Sequence, residues 1–161
     1  MREHPFRAPS AARRIWLAPL GALVLLVGMA ITAPTTADAA SSGADLCAQV
    51  GSRAGFGRSS TLVTAVAVGM AESGCSPAAV NRNGPTQGCP RGSMDRGMWQ
   101  INSCHHPGIS AACAHSAQCN ANAAYQISSS GRTFRPWAAY TNGRYRAYLG
   151  QARAAVARLS G

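Results

Sequence analysis

The chain contains no lysine and few acidic residues. Its 161 residues include 15 basic ones, all of them Arg, and only five acidic ones, which gives a net charge of +10. Charged residues make up 12% of the composition, about half the usual share in soluble domains. The length leaves room for one domain of ordinary size and excludes two. Because no internal repeat, low-complexity tract or second linker is visible, we expect a single small globular domain.

The N-terminal segment has the layout of a secretory leader. Several Arg residues precede an apolar run over residues 15–33, which ends in small residues. An A-x-A triplet at residues 37–39 matches a cleavage site, so we predict a signal peptide over residues 1–39 and a secreted domain over residues 40–161. An uncleaved membrane anchor is the alternative, since the run approaches the roughly 20 residues that span a bilayer. A pair of Arg residues before the run leaves both Sec and twin-Arg export open.

After the predicted leader the charge is even more one-sided. Eleven Arg residues face only three acidic residues, Asp45, Glu72 and Asp95. A secreted protein with this charge meets few nucleic acids, so its expected counter-charges are anionic cell-wall polymers or lipid headgroups. The alternative is that the Arg residues only keep the protein soluble. No motif for a cofactor or a nucleotide is present, so we expect any chemistry to depend on the protein's own side chains. A zinc site formed by the histidines at positions 105, 106 and 115 with nearby cysteines is the alternative, although the paired C-x-x-C spacing typical of zinc sites is absent.

All six cysteines lie beyond the predicted leader. An even number of cysteines in a short secreted chain predicts three disulfides, although the sequence alone does not choose among the possible pairings. Two cysteines are close enough to close a short loop, and two others flank a segment rich in Gly, Pro and Asn. On that basis we predict the pairs Cys113–Cys119 and Cys75–Cys89, which leaves Cys47–Cys104.

Hydrophobic spacing predicts helices on both sides of an irregular segment. The first helix is predicted over residues 44–56, and the second begins at Ser59 or Ser60 and stops before Gly74. Later helices are predicted over residues 120–128 and 144–159. The segment between residues 76 and 97 is dense in Pro, Asn and Gly, which is typical of loops and small hairpins. The pattern indicates a mostly helical α+β domain with one loop and hairpin insert.

Glu72 is the carboxylate best placed for acid–base chemistry. Asp45 falls in the first turn of a predicted helix, where a negative charge commonly serves the helix dipole. Glu72 instead falls in a last turn, where the dipole does not favour it. It follows the apolar run of residues 66–71, and apolar surroundings favour the neutral form of a carboxyl, which can donate a proton. We therefore predict a catalytic acid at Glu72, with a solvated helix end as the alternative.

Four short motifs in order resemble the lysozyme-like superfamily, specifically the soluble lytic transglycosylases and goose-type lysozymes. Glu-Ser-Gly at residues 72–74 is similar to the family's catalytic Glu-Ser signature at a helix end, and Gly-Met-Trp-Gln-Ile at residues 97–101 is similar to its Gly-Leu-Met-Gln-Ile motif. Asn120 resembles the residue that leads a later helix, and residues 139–143 resemble the family's Ala-Tyr-Asn element with one residue inserted. The resemblance covers about residues 60–150 and implies a lysozyme-like fold, stabilised by disulfides.

The resemblance implies cleavage of the β-1,4 bond between N-acetylmuramic acid and N-acetylglucosamine in peptidoglycan, by a monomer with Glu72 as general acid and base. It also implies that Ser73, Gln100 and Asn120 hold substrate or shape the cleft, and that Tyr140 borders the cleft near the acid. The alternatives are a strand side chain facing water for Gln100 and a packing aromatic for Tyr140. A non-catalytic, secreted cationic protein that binds the cell wall on the same scaffold is the competing function.

A second likeness falls on residues 93–103, which are similar to the strand of c-type lysozymes that carries their catalytic aspartate. The matching residue here is Asp95, which we predict as a nucleophile or stabiliser, with an ordinary turn residue as the alternative. Carboxyls about 5–5.5 Å apart indicate retention, and about 6.5–9.5 Å leaves room for a water and inversion. Many relatives with a single Glu use the acetamido group of the substrate and release a 1,6-anhydro product, whereas Asp95 keeps hydrolysis open. Trp99 is a candidate to stack on a sugar ring, with a place in the core as the alternative.

Overall fold

A computed structural model describes residues 42–159. The predicted signal peptide over residues 1–39, and with it the alternative of a membrane anchor, lies outside the described residues. Within the described range, none of the helices combines the length and the hydropathy needed to cross a bilayer.

Helices make up most of the described domain. The α-helices are α1 (Gly43–Gly51), α2 (Ser60–Ser73), α3 (Ala111–His115), α4 (Ala117–Ile127), α5 (Ala138–Thr141) and α6 (Leu149–Arg158). A π-helical turn over Ser52–Phe56 follows α1, and a 3-10 helix over Arg144–Tyr148 precedes α6. The mostly helical class predicted from the sequence is confirmed, and the sequence did not predict α3 or α5.

The first two helices begin where their sequences offer capping residues. The Ser42 hydroxyl accepts a bond from the backbone of Asp45, whose carboxylate accepts one from the backbone of Ser42, so a capping box starts α1. Ser59 caps α2, and Gly74 ends it in the left-handed conformation, as predicted. The helix predicted over residues 44–56 is interrupted instead, because the chain leaves helical geometry at Gly55 inside the π-helical turn.

A small antiparallel sheet occupies the segment predicted as loops and hairpin. Its strands are β1 (Val80–Asn83), β2 (Ser93–Arg96) and β3 (Ile101–Asn102), in that order. In the register, Asn81 pairs with Asp95, and Asp95 pairs with Asn102. Because directly paired residues point to the same side, one face of the sheet carries a row of two amides around one carboxylate.

The core forms around α2, which packs against α1 and α6. The side chains of Leu62 and Val66 on α2 are fully buried, and each contributes about 1.5–3 kcal/mol through burial of apolar surface. Trp99, from the turn between β2 and β3, is also fully buried, and its indole N–H donates to the carbonyl of Ala65 at 2.9 Å. This contact anchors the turn after β2 directly to α2.

Three disulfides cross-link the helices and loops of the described domain. They join Cys47 to Cys75, Cys89 to Cys104 and Cys113 to Cys119. The predicted pair Cys113–Cys119 is confirmed, whereas the predicted pairs Cys75–Cys89 and Cys47–Cys104 are wrong. The physical reason is helix packing: α1 lies against α2, which brings Cys47 beside Cys75 although 28 positions separate them in the sequence. That leaves Cys89 to fasten the loop between β1 and β2 to the segment after β3.

Candidate active site

Glu72 lies in the last turn of α2 and is half-buried. Its Oε1 atom accepts a hydrogen bond from the backbone N–H of Ala139, at 3.0 Å, in the first turn of α5. Within residues 42–159, the second oxygen, Oε2, has no hydrogen-bond donor from the protein. The side chain is therefore held by one oxygen while the other is available to a ligand.

Tyr140 follows Ala139 and therefore lies next to the residue that holds the Glu72 carboxylate. Its ring packs between Phe134 and Tyr145, with centroid distances of 5.8 and 4.9 Å. The half-buried ring also lines a cavity of about 380 Å³. The packing interpretation of Tyr140 describes the contacts of the ring with Phe134 and Tyr145, and a place for Tyr140 at the border of the substrate cleft stays a prediction.

A second cavity, of about 280 Å³, lies where the turn around β3 meets the chain that leads into α5. Its lining residues are Gln100, Ile101, Asn102, His105, His106, Ile127, Pro136 and Trp137. Apolar walls with a few polar groups are typical of ligand sites. Trp137 lies only two residues before Ala139, so this cavity and the Glu72 carboxylate are tied to the same short segment of chain.

Gln100 reaches this cavity from a left-handed backbone position, with φ of 46°. Its side-chain Nε2 donates to the carbonyls of Gly97 at 2.9 Å and Ala79 at 3.4 Å. The amide is thus fixed by its nitrogen. It lines the cavity, as expected for a residue of the cleft, and substrate contact by Gln100 stays a prediction.

Two adjacent histidines at the cavity were not predicted as site residues. Burial lowers the pKa of His106, and repulsion from His105 lowers it further. His106 is therefore neutral at neutral pH and can both donate and accept a hydrogen bond. The feature of the sequence that could have identified these two residues is that they are adjacent histidines shortly after the Gly-Met-Trp-Gln-Ile motif.

Asp95 lies on β2 with a ring of amides around its carboxylate. Its Oδ1 accepts from Asn102 at 2.6 Å, and its Oδ2 accepts from Asn83 at 2.8 Å and from Asn81 at 3.5 Å. These bonds from both neighbouring strands fix the plane of the carboxylate. The amides were not predicted as site residues. The spacing of Asn81 and Asn83, two apart as on one face of a strand, was the available signal.

Ser73 fastens the end of α2 to the turn after β2. Its hydroxyl donates to the carbonyl of Met98 at 2.6 Å and accepts from the backbone N–H of Ser76 at 3.2 Å. These bonds are internal, and they place the helix end that carries Glu72 against the turn that carries Gln100. Direct contact of Ser73 with substrate stays a prediction.

The substrate-binding roles predicted for Trp99 and Asn120 need correction, because both side chains are fully buried. The Trp99 ring has no free face for a sugar, so the alternative of a core residue is the correct one. The Asn120 side chain accepts from the backbone N–H of Trp99 at 2.9 Å and donates to the carbonyls of Ala114 at 2.8 Å and Arg96 at 3.1 Å. Asn120 is therefore not exposed to a ligand but joins three backbone segments, and the role of shaping the cleft stays a prediction.

A family model described as a lysozyme-like domain matches residues 48–139, more than half of the chain. The matched range includes Glu72, Asp95 and Ala139, and thus both candidate carboxylates and the backbone group that holds Glu72. No curated protein and no solved structure matches the chain significantly. Within residues 42–159, no three His, Cys, Asp or Glu side chains are grouped so as to hold a metal ion.

Proposed function

Because the chain belongs to the lysozyme-like domain family, we propose that it is a glycosidase that cleaves peptidoglycan strands, with Glu72 as the general acid. The observation that carries the proposal is the carboxylate of Glu72, held through Oε1 by Ala139 while Oε2 has no protein donor. The substrate bond is the β-1,4 link between N-acetylmuramic acid and N-acetylglucosamine.

In the proposed first step, Glu72 gives its proton from Oε2 to the glycosidic oxygen as the bond to the muramoyl carbon breaks. The sugar ring then carries oxocarbenium-like positive charge. The Ala139 N–H keeps Oε1 in place, so the carboxyl meets the oxygen without first losing rotational freedom. A proton donor positioned in this way contributes about 10²–10⁴-fold to the rate.

Two routes follow from that cation, and Asp95 distinguishes them. In hydrolysis, the Asp95 carboxylate, fixed by Asn83 and Asn102, stabilises or attacks the cation, and water completes the reaction. In transglycosylation, the ionised Glu72 accepts the proton of the muramoyl 6-hydroxyl, which closes a 1,6-anhydro ring. The amides that orient Asp95 are the structural argument for hydrolysis.

The proposed location is outside the cell. Three disulfides suit an oxidising compartment. We propose that residues 1–39 are a leader removed on export, and that the Arg-rich domain then associates with the anionic wall.

Mass spectrometry of muropeptides released from purified sacculi tests the proposal. New reducing ends indicate hydrolysis, and new 1,6-anhydro ends, one water lighter, indicate transglycosylation. A digest that contains no new ends of either kind contradicts the proposal. If the same protein binds sacculi and dissociates from them as the salt concentration increases, the non-catalytic cationic function is established instead.

A further inference from the structure

The two faces of the sheet carry opposite chemistry. Arg96 pairs with Val80, and Arg82 pairs with Met94, in the register of β1 and β2. Directly paired residues share a face and neighbours along a strand alternate, so Arg82 and Arg96 point to one side and Asp95 points to the other. The face opposite Asp95 is therefore basic.

A third arginine reaches the same place from the loop between β1 and β2. Next to Arg91, Gly92 has φ of 74°, and a Cβ atom there would lie 2.5 Å from the carbonyl oxygen of Asn83. Only glycine permits this approach, which places the loop tightly over the end of β1. The disulfide Cys89–Cys104 holds the loop from its other side. Arg91 is thus presented by a constrained loop.

Arg82, Arg91 and Arg96 line one groove, of about 470 Å³, which we term the basic groove. Ser103 also lines it, and the Ser103 hydroxyl accepts a hydrogen bond from the backbone N–H of Met94 at 2.9 Å. A neighbouring cavity of about 290 Å³ shares Arg91 and Ser103 with it, so the two form a continuous track.

The arginines of the basic groove have no acidic partner among residues 42–159. The carboxylate–guanidinium pair in that part of the chain joins Asp45 to Arg158, and Asp95 is occupied by amides on the opposite face. Guanidinium groups without a carboxylate match the geometry and charge of phosphate oxygens. Among the described residues, Val80 is the one exposed large hydrophobic side chain, which argues against insertion into a membrane.

We propose that the basic groove binds a phosphodiester-linked polyol polymer of the cell wall, at a site separate from the one that carries Glu72 and Asp95. The continuous track suits a chain of regularly spaced phosphates better than a single ion. The site would hold the protein on the anionic wall while the opposite face of the sheet remains free for glycan. The inference concerns binding alone and does not depend on whether Glu72 cleaves.

Binding of fluorescently labelled polyglycerol phosphate tests the proposal. The test variant combines Arg82→Gln, Arg91→Gln and Arg96→Gln. The control removes the same charge elsewhere with Arg53→Gln, Arg58→Gln and Arg153→Gln, all at exposed positions. We expect the test variant to bind at least about tenfold more weakly and its log–log salt slope to fall by about 2, since each phosphate contact contributes roughly 0.7 on a flexible strand. The control is expected to keep most of the affinity and slope.

Equal losses in the two variants overturn the proposal, because the binding then follows net charge alone. No loss in either variant overturns it as well, because the arginines of the basic groove then do not carry the binding. Vesicles of phosphatidylglycerol serve as the second probe. If the protein binds the vesicles through the arginines of the basic groove but does not bind the polymer, the ligand is a lipid headgroup and the proposal is wrong. Thermal unfolding of both variants confirms that each is folded, and their cleavage of short peptidoglycan glycan fragments that carry no phosphodiester polymer is expected to equal that of the parent protein.

Discussion

Replacing Asn120 with Ala removes the side chain that joins three backbone segments beneath the candidate site. The amide makes three hydrogen bonds, to Trp99, Ala114 and Arg96, and is fully buried. Each bond contributes about 1 kcal/mol net, and the groups left behind stay buried without a partner, so we expect the free energy of unfolding to fall by about 3–5 kcal/mol. That is a large part of the roughly 5–15 kcal/mol that stabilises a typical domain.

Urea unfolding with the disulfides intact measures this loss. The control is Asn122→Ala on the same helix, because Asn122 is exposed and accepts one bond, from Gln118. We expect the control to change stability by less than about 0.5 kcal/mol. A loss below about 1 kcal/mol for Asn120→Ala would refute the reasoning, since it would mean that the three bonds are not formed or that water replaces them freely.

Three further predictions concern elements around the site. Replacing Cys47 and Cys75 by Ala opens a loop of 28 positions and is expected to cost about 3–4 kcal/mol in urea unfolding, and an unchanged midpoint would contradict the pairing. Gly97→Ala is expected to cost more than about 2 kcal/mol, because φ is 73° and a Cβ would collide with the carbonyl of Ala114, and a neutral effect would contradict that close approach. Burial acts to raise the pKa of Asp45, but its hydrogen bonds from Arg158 and Ser42 outweigh burial and lower the pKa below 3.8. The stabilisation is therefore present above about pH 4 and lost as the pH falls through the lowered pKa, so the stability gap between the parent and Asp45→Asn, under about 1 kcal/mol, should shrink as the pH is lowered further below 4. A gap that stays constant as the pH is lowered would contradict it.

The helices that the sequence predicted well are those whose ends are decided locally. Ser59 and Gly74 set the limits of α2 through bonds within a few residues, so their positions in the sequence were sufficient. The pairing of Cys47 with Cys75 was not predictable in the same way, since it depends on how α1 packs against α2. The interruption at Gly55 was missed for a related reason, because a glycine inside an apolar pattern does not show whether the helix continues.

The part of the candidate site that could be predicted from the sequence is a charged side chain at a position where helix electrostatics do not favour it. Glu72, at a helix end that does not favour a carboxylate, had such a signal. For Asn120 and Trp99 the sequence carried no signal that distinguishes a side chain that contacts substrate from one that stabilises the fold. Polar and aromatic side chains occur in both roles, and burial in the folded structure distinguishes them. The amides around Asp95 come from the two neighbouring strands, β1 and β3, and their assembly depends on a register that short polar strands specify weakly.

The most direct test of the central claim is the rate at which the Glu72→Gln variant cleaves purified peptidoglycan strands. The Asp45→Asn variant, which changes a carboxylate to an amide far from Glu72 in the sequence, is measured in the same assay as the control. The amide of the Glu72→Gln variant cannot donate the proton, so we expect turnover to fall by at least about 10²-fold while the thermal unfolding midpoint stays close to that of the parent. The control is expected to retain nearly full turnover. Cleavage by Glu72→Gln at the parent rate would contradict the assignment of Glu72 as the general acid.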